Sequence, residues 1–109
     1  MSTAERKEEV QKGMDAIKNA ANKDASVYFR APGGNFNDSV ANDLRDMVQG
    51  EIGWNIDTED WRRPGADTIA SRIKSAGPGE VILMHDGGGD RSQTVAALRE
   101  ALPYLKSQG

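Results

Sequence analysis

Val81-Ile82-Leu83-Met84-His85-Asp86 is a short apolar run that ends at the chain's single histidine and passes at once into Gly87-Gly88-Gly89. Pro78-Gly79 bounds it on the other side. A run of this length between turn residues predicts a buried strand whose C-terminal end delivers His85 into a flexible loop. Parallel α/β architectures place their chemistry at that end of the strands, which makes His85 the first candidate functional residue. The plainer alternative is a hydrogen-bonded polar group at a strand end.

The surrounding chain alternates helix and strand. Ser2 with Glu5 fits a capping box, and Val10, Met14, Ile17 and Ala21 recur at helical spacing, predicting a helix over 3–21. Ser26-Val27-Tyr28-Phe29-Arg30 is a β-prone run ended by Pro32-Gly33-Gly34. Asn37 or Asp38 caps a second helix with Val40, Leu44, Met47 and Val48 on its apolar face. Residues 52–57 make a second strand, with Trp54 assigned to the core, and 58–65 form a polar loop. Ile69 and Ile73 mark a short helix that stops at Gly77-Pro78, before the strand that ends at His85. A last helix carries Val95, Leu98, Leu102 and Leu105, with Asp90 as its cap and a kink or local break expected at Pro103.

Crossovers that each contain a helix oblige the strands to be parallel, so the fold class is α/β. Each strand end also carries polar residues: Arg30 with Pro32-Gly33-Gly34, Asp57 with Asp60-Trp61, and His85 with Asp86. With 109 residues, 37% hydrophobic and 28% charged, the chain supports one modest core, hence one domain or part of one. A net charge of −3 with interspersed signs argues against nucleic acid, and no basic amphipathic stripe addresses a membrane surface. The absence of cysteine excludes disulfides and thiolate metal sites. No apolar signal-peptide core or span-length segment is present, so a soluble, untargeted chain is expected.

Phe29-Arg30-Ala31-Pro32-Gly33-Gly34, Asp57-Thr58-Glu59-Asp60-Trp61 and Ile82-Leu83-Met84-His85-Asp86 resemble, in order and approximate spacing, the last three of five motifs of the polysaccharide deacetylases. These are the NodB-homology enzymes of carbohydrate esterase family four. The resemblance implies parallel β/α units forming about half of a distorted (β/α) barrel, with residues 1–109 as the C-terminal half of the domain. It also implies metal-dependent hydrolytic deacetylation of an acetylated polysaccharide: a chitin oligomer, peptidoglycan or xylan. The family's upstream Asp-Asp pair and paired histidines have no counterpart here. A divalent metal, zinc or cobalt, is therefore expected for the full-length enzyme and not for this chain alone.

The resemblance also assigns roles. His85 would be the general acid, oriented by a carboxylate for which Asp57 matches the family position; the alternative for Asp57 is a cap or turn. Arg30 would hold the catalytic base, or, in a chain acting alone, be a solvated or structurally paired arginine. Gly33 would offer a backbone N–H to the oxyanion, standing where the family usually has tyrosine. Trp61 and Leu83 would line the pocket for the acetyl methyl, against the alternative that both are core. Asp60 is expected to pair with Arg62, Arg63 or Arg30 as a structural clasp. Expected partners are the acetylated polysaccharide and either the missing N-terminal half or a second copy of the chain. The competing reading is a catalytically inactive, self-associating half-barrel or a carbohydrate-binding module. An extracellular or cell-wall location is implied by resemblance alone.

Overall fold

The computed structural model describes residues 1–109, which divide into two compact units, 1–53 and 54–109. The first holds α1 (Thr3–Ala21), β1 (Tyr28–Phe29), a single 3-10 turn (Pro32–Gly34), α2 (Asp38–Leu44) and β2 (Gly50–Glu51). The Ser2 hydroxyl accepts from the Glu5 N–H while the Glu5 carboxylate accepts from the Ser2 N–H, completing the capping box that starts α1. Asn22, left-handed at φ 55°, ends it. Asn37 caps α2 by accepting from the Val40 N–H. The two helices meet through an Arg6–Asp43 ion pair at 2.6 Å, to which the Thr3 hydroxyl adds a second hydrogen bond.

Strands β1 and β2 pair in parallel, Tyr28 against Gly50 and Phe29 against Glu51. Leu44, Val48 and Ala31 are the buried apolar side chains of this unit. Nothing on α1 is fully buried, and an apolar groove of about 350 Å³ lies open between its Val10–Met14 face and Phe29, Pro32 and Val48.

The second unit holds β3 (Ile56–Asp57), a 3-10 turn (Asp60–Arg62), α3 (Ala66–Lys74), β4 (Ile82–Leu83) and α4 (Ser92–Ser107). Strands β3 and β4 are parallel, with Ile56 opposite Ile82 and Asp57 opposite Leu83. Ile69, Ala70 and Ile73 of α3 pack on Ala97 and Ala101 of α4, with Ile82, Met84, Leu98 and Leu105 closing round them. A Lys74–Glu100 pair at 2.8 Å joins the same two helices on the outside.

Three expectations need correction. The second strand is two short pairings, at 50–51 and 56–57, and the interrupting Trp54 is 36% exposed rather than in the core. The inward face of α4 is Thr94, Ala97 and Ala101, while Val95 and Leu102 face outward, because small side chains let α3 approach its partner closely. Helix α4 also runs through Pro103 without a break. No helix is long and apolar enough to cross a membrane.

Candidate functional site

His85 follows β4 directly, and its neighbours are fixed by the loop that follows β3. Asp57, at the end of β3, turns its carboxylate onto the Glu59 N–H at 3.0 Å, a local turn that any aspartate can make. Glu59 is left-handed at φ 50° and Arg63 at φ 52°, so both ends of the Asp60–Arg62 turn adopt a conformation that costs an L-residue of order 1–2 kcal/mol. The result is to turn Asp60 inward. Its side chain is wholly buried, whereas Asp57 is exposed.

Asp60 Oδ1 lies 2.7 Å from His85 Nδ1, and Asp60 Oδ2 accepts from the His85 backbone N–H at 2.8 Å. One carboxylate thus grips both the ring and the backbone of the same histidine. The Thr94 hydroxyl donates to Oδ2 at 2.9 Å. Burial is the largest influence on Asp60 and opposes its ionisation. The hydrogen bonds from the His85 ring, the His85 N–H and the Thr94 hydroxyl together outweigh it and hold the carboxyl below its ordinary value. A carboxylate facing Nδ1 keeps the proton on that nitrogen and leaves Nε2 for exchange with a reactant. The His85 side chain as a whole is 39% exposed, against 0% for that of Asp60.

The loop itself is pinned. The Thr58 hydroxyl donates to the Leu83 carbonyl at 2.8 Å, Arg72 Nη1 donates to the Thr58 carbonyl at 2.7 Å, and the Gly65 N–H donates to Gln93 Oε1 at 2.8 Å. After His85, Arg91 Nε donates to the Gly87 carbonyl at 2.9 Å, folding the glycine loop back onto the start of α4.

The carboxylate at the histidine is therefore Asp60, not Asp57, and Asp60 is not an arginine clasp. Arg62 pairs instead with Glu59 at 3.2 Å and stacks over the Trp61 ring, 4.7 Å from its centroid. Trp61 is 49% exposed beside Asp60, which excludes the core alternative for it, and Leu83 is half-buried in β4. Asp90 accepts from the Ser92 N–H ahead of α4. In the first unit, Arg30 donates through Nε to the Ile52 carbonyl at 2.9 Å and through Nη2 to that of Gly53 at 3.4 Å. Gly33 sits in the turn after β1 at φ 67°. Thr94 escaped sequence reading although it left a signal, a polar residue in register with the small buried stripe at 97 and 101.

No group of three or more histidine, aspartate or glutamate side chains is placed to hold a metal ion. His85 gives Nδ1 to Asp60, and Asp60 already accepts three hydrogen bonds. The donors present do not fit a divalent cation.

No family model matches the chain. A peptidoglycan N-acetylglucosamine deacetylase of Bacillus cereus is 45% identical over 76% of the chain, which covers 40% of that protein. The solved family-four carbohydrate esterase of Streptomyces lividans, in complex with acetate, superposes with a TM-score of 0.86 at 27% identity over 99% of the chain and 54% of its own. The chain belongs to the polysaccharide deacetylases. Its parallel β/α units are part of the NodB-type barrel of carbohydrate esterase family four. A family-four pseudoenzyme of Bacillus anthracis matches the whole chain with a TM-score of 0.85 at 34% identity, the chain covering 37% of it. The polysaccharide deacetylase relatives are longer throughout: the chain spans about half their length or less.

Proposed function

We propose that this chain supplies the proton-donating side of a polysaccharide deacetylase that hydrolyses acetyl groups on an acetylated sugar polymer. The buried Asp60 carboxylate clamped on His85 carries the reading. In hydrolysis of an N-acetyl group, water adds to the acetyl carbon and the C–N bond breaks. The proton on His85 Nε2 passes to the departing nitrogen, giving acetate and a free amine. Asp60 keeps Nδ1–H in place and stabilises the doubly protonated ring before transfer. O-deacetylation differs only in the leaving oxygen. Relatives named for peptidoglycan, chitooligosaccharide and xylan set the range of substrates.

The remaining assignments follow the family resemblance. Gly33 offers a backbone N–H to the oxyanion, Trp61 and Leu83 receive the acetyl methyl, and Arg30 holds the base. The base and a divalent metal site belong to the part of the domain that the longer relatives carry beyond the matched stretch. Asp57 serves as the turn that presents Asp60. To test the reading, residues 1–109 replace the matched stretch of the Bacillus cereus relative, and acetate release from an acetylated chito-oligosaccharide is followed. The chimera deacetylates, and His85→Asn lowers kcat by about 10²–10⁴-fold with little change in KM. A folded chimera whose turnover is indifferent to His85→Asn overturns the assignment.

The second reading is a non-catalytic family member, suggested by the pseudoenzyme's 34% identity to the chain against 27% for the Streptomyces lividans esterase. It predicts a folded chimera with no turnover at all.

A further inference from the structure

We propose that Thr94 is a positioning residue: its buried hydroxyl fixes the plane of the Asp60 carboxylate and thereby the tautomer of His85. The inference deepens the reading of His85 as proton donor and rests on it. Asp60 accepts from three donors, and two of them belong to His85 itself. A carboxylate held only by the residue it is meant to orient could swing together with that residue. Thr94 is the one donor to the Asp60 carboxylate from outside the pair, at 2.9 Å on Oδ2, from a side chain that is 3% exposed.

The anchor is rigid at its base. Thr94 lies in the first turn of α4, three and seven residues ahead of Ala97 and Ala101, which pack into the core against Ile69, Ala70 and Ile73. Its neighbour Gln93 accepts from the Gly65 N–H at 2.8 Å, so the same helical turn holds the Asp60 loop at a second point. The buried face of α4 is otherwise apolar. A hydroxyl there must be satisfied, and Asp60 satisfies it. With Oδ2 occupied by Thr94 and by the His85 N–H, Oδ1 is left for the ring, and a carboxylate oxygen accepts only from a protonated Nδ1.

The single histidine makes the test direct, because every imidazole signal in the chain is that of His85. The ¹⁵N shifts of its ring nitrogens, read by long-range ¹H–¹⁵N correlation on the 109-residue chain in mildly alkaline solution, report which nitrogen holds the proton. The parent chain shows a protonated Nδ1 and an unprotonated Nε2. Thr94→Val, nearly isosteric, shifts the two nitrogens toward averaged values as the Nε2–H form gains population, while Thr94→Ser retains the parent pattern. A Thr94→Val chain that keeps the parent pattern overturns the proposal, and so does a Thr94→Ser chain that loses it. Should Thr94→Val fail to fold, by far-ultraviolet circular dichroism, Thr94→Ser decides alone: it keeps the hydroxyl and drops the methyl, so retention supports the proposal and loss refutes it. None of these readouts requires turnover, so failure of the deacetylase reading leaves this result separately legible.

Discussion

Replacing Asp60 by asparagine tests the energetics of the site at nearly constant volume. The carboxylate accepts from the His85 ring, the His85 N–H and the Thr94 hydroxyl. An amide has one acceptor oxygen, and the best placement puts it at Oδ2, where it keeps the two donors found there. The NH₂ group then faces His85 Nδ1, which must give up its proton. One charge-assisted hydrogen bond is lost in a buried setting, a cost of about 1.5–3 kcal/mol, or roughly 10 °C in Tm for a chain of this size. The pH dependence sharpens the test. Because the folded Asp60 carboxyl lies below its ordinary value, its contribution to stability is complete above the unfolded value of about 3.9 and is lost as pH falls through the lower, folded one. Asp60→Asn has no such proton to bind. Urea unfolding followed by circular dichroism at pH 5 and pH 3, a window that brackets the carboxyl and lies below the ordinary imidazole range, should therefore show a gap between parent and variant that narrows in acid. A gap under about 0.5 kcal/mol at pH 5, or one unchanged at pH 3, would refute the account of Asp60 as a charged, hydrogen-bonded anchor.

Two other substitutions probe the scaffold. Ile69→Ala removes a fully buried side chain from the α3–α4 core and should cost about 2–5 kcal/mol, read as a lower urea midpoint with the slope unchanged. Gly33→Ala places a Cβ 3.2 Å from Asn35 Nδ2 at φ 67° and should cost about 1–2 kcal/mol; a neutral result in thermal unfolding would show that the turn after β1 adopts another conformation.

Much of this molecule is legible in its sequence because the signals are local. The capping box at Ser2 and Glu5, the Asn37 cap and the apolar positions 69 and 73 each depend on residues about a turn apart, and the structure realises them; the run ending at His85 is a strand as expected, but only over Ile82–Leu83 and half-buried, with Val81 exposed. The choice between Asp57 and Asp60 was not legible. It depends on two non-glycine residues, Glu59 and Arg63, taking left-handed backbone, a conformation imposed by surrounding contacts rather than by propensity. The face of α4 was misread for a related reason. Hydrophobicity favours Val95 and Leu102, while close helix packing rewards the smaller Thr94, Ala97 and Ala101. Trp54 interrupts the second strand because bonding to β1 ends with the Ile52 N–H on the Phe29 carbonyl and bonding toward β4 begins with the Asn55 N–H on the Val81 carbonyl, a matter of register that hydropathy does not encode.

Asp60, His85, Thr94, Thr58, Arg72 and Gln93 all fall on one side of the seam between Gly53 and Trp54. Genetic recombination at that seam transmits them as a single inherited block. Shuffled libraries of related genes that cross over there can exchange everything upstream without separating His85 from the carboxylate that grips it. Crossovers within 61–84 divide His85 from Asp60 between parents, and such libraries should be depleted of functional members.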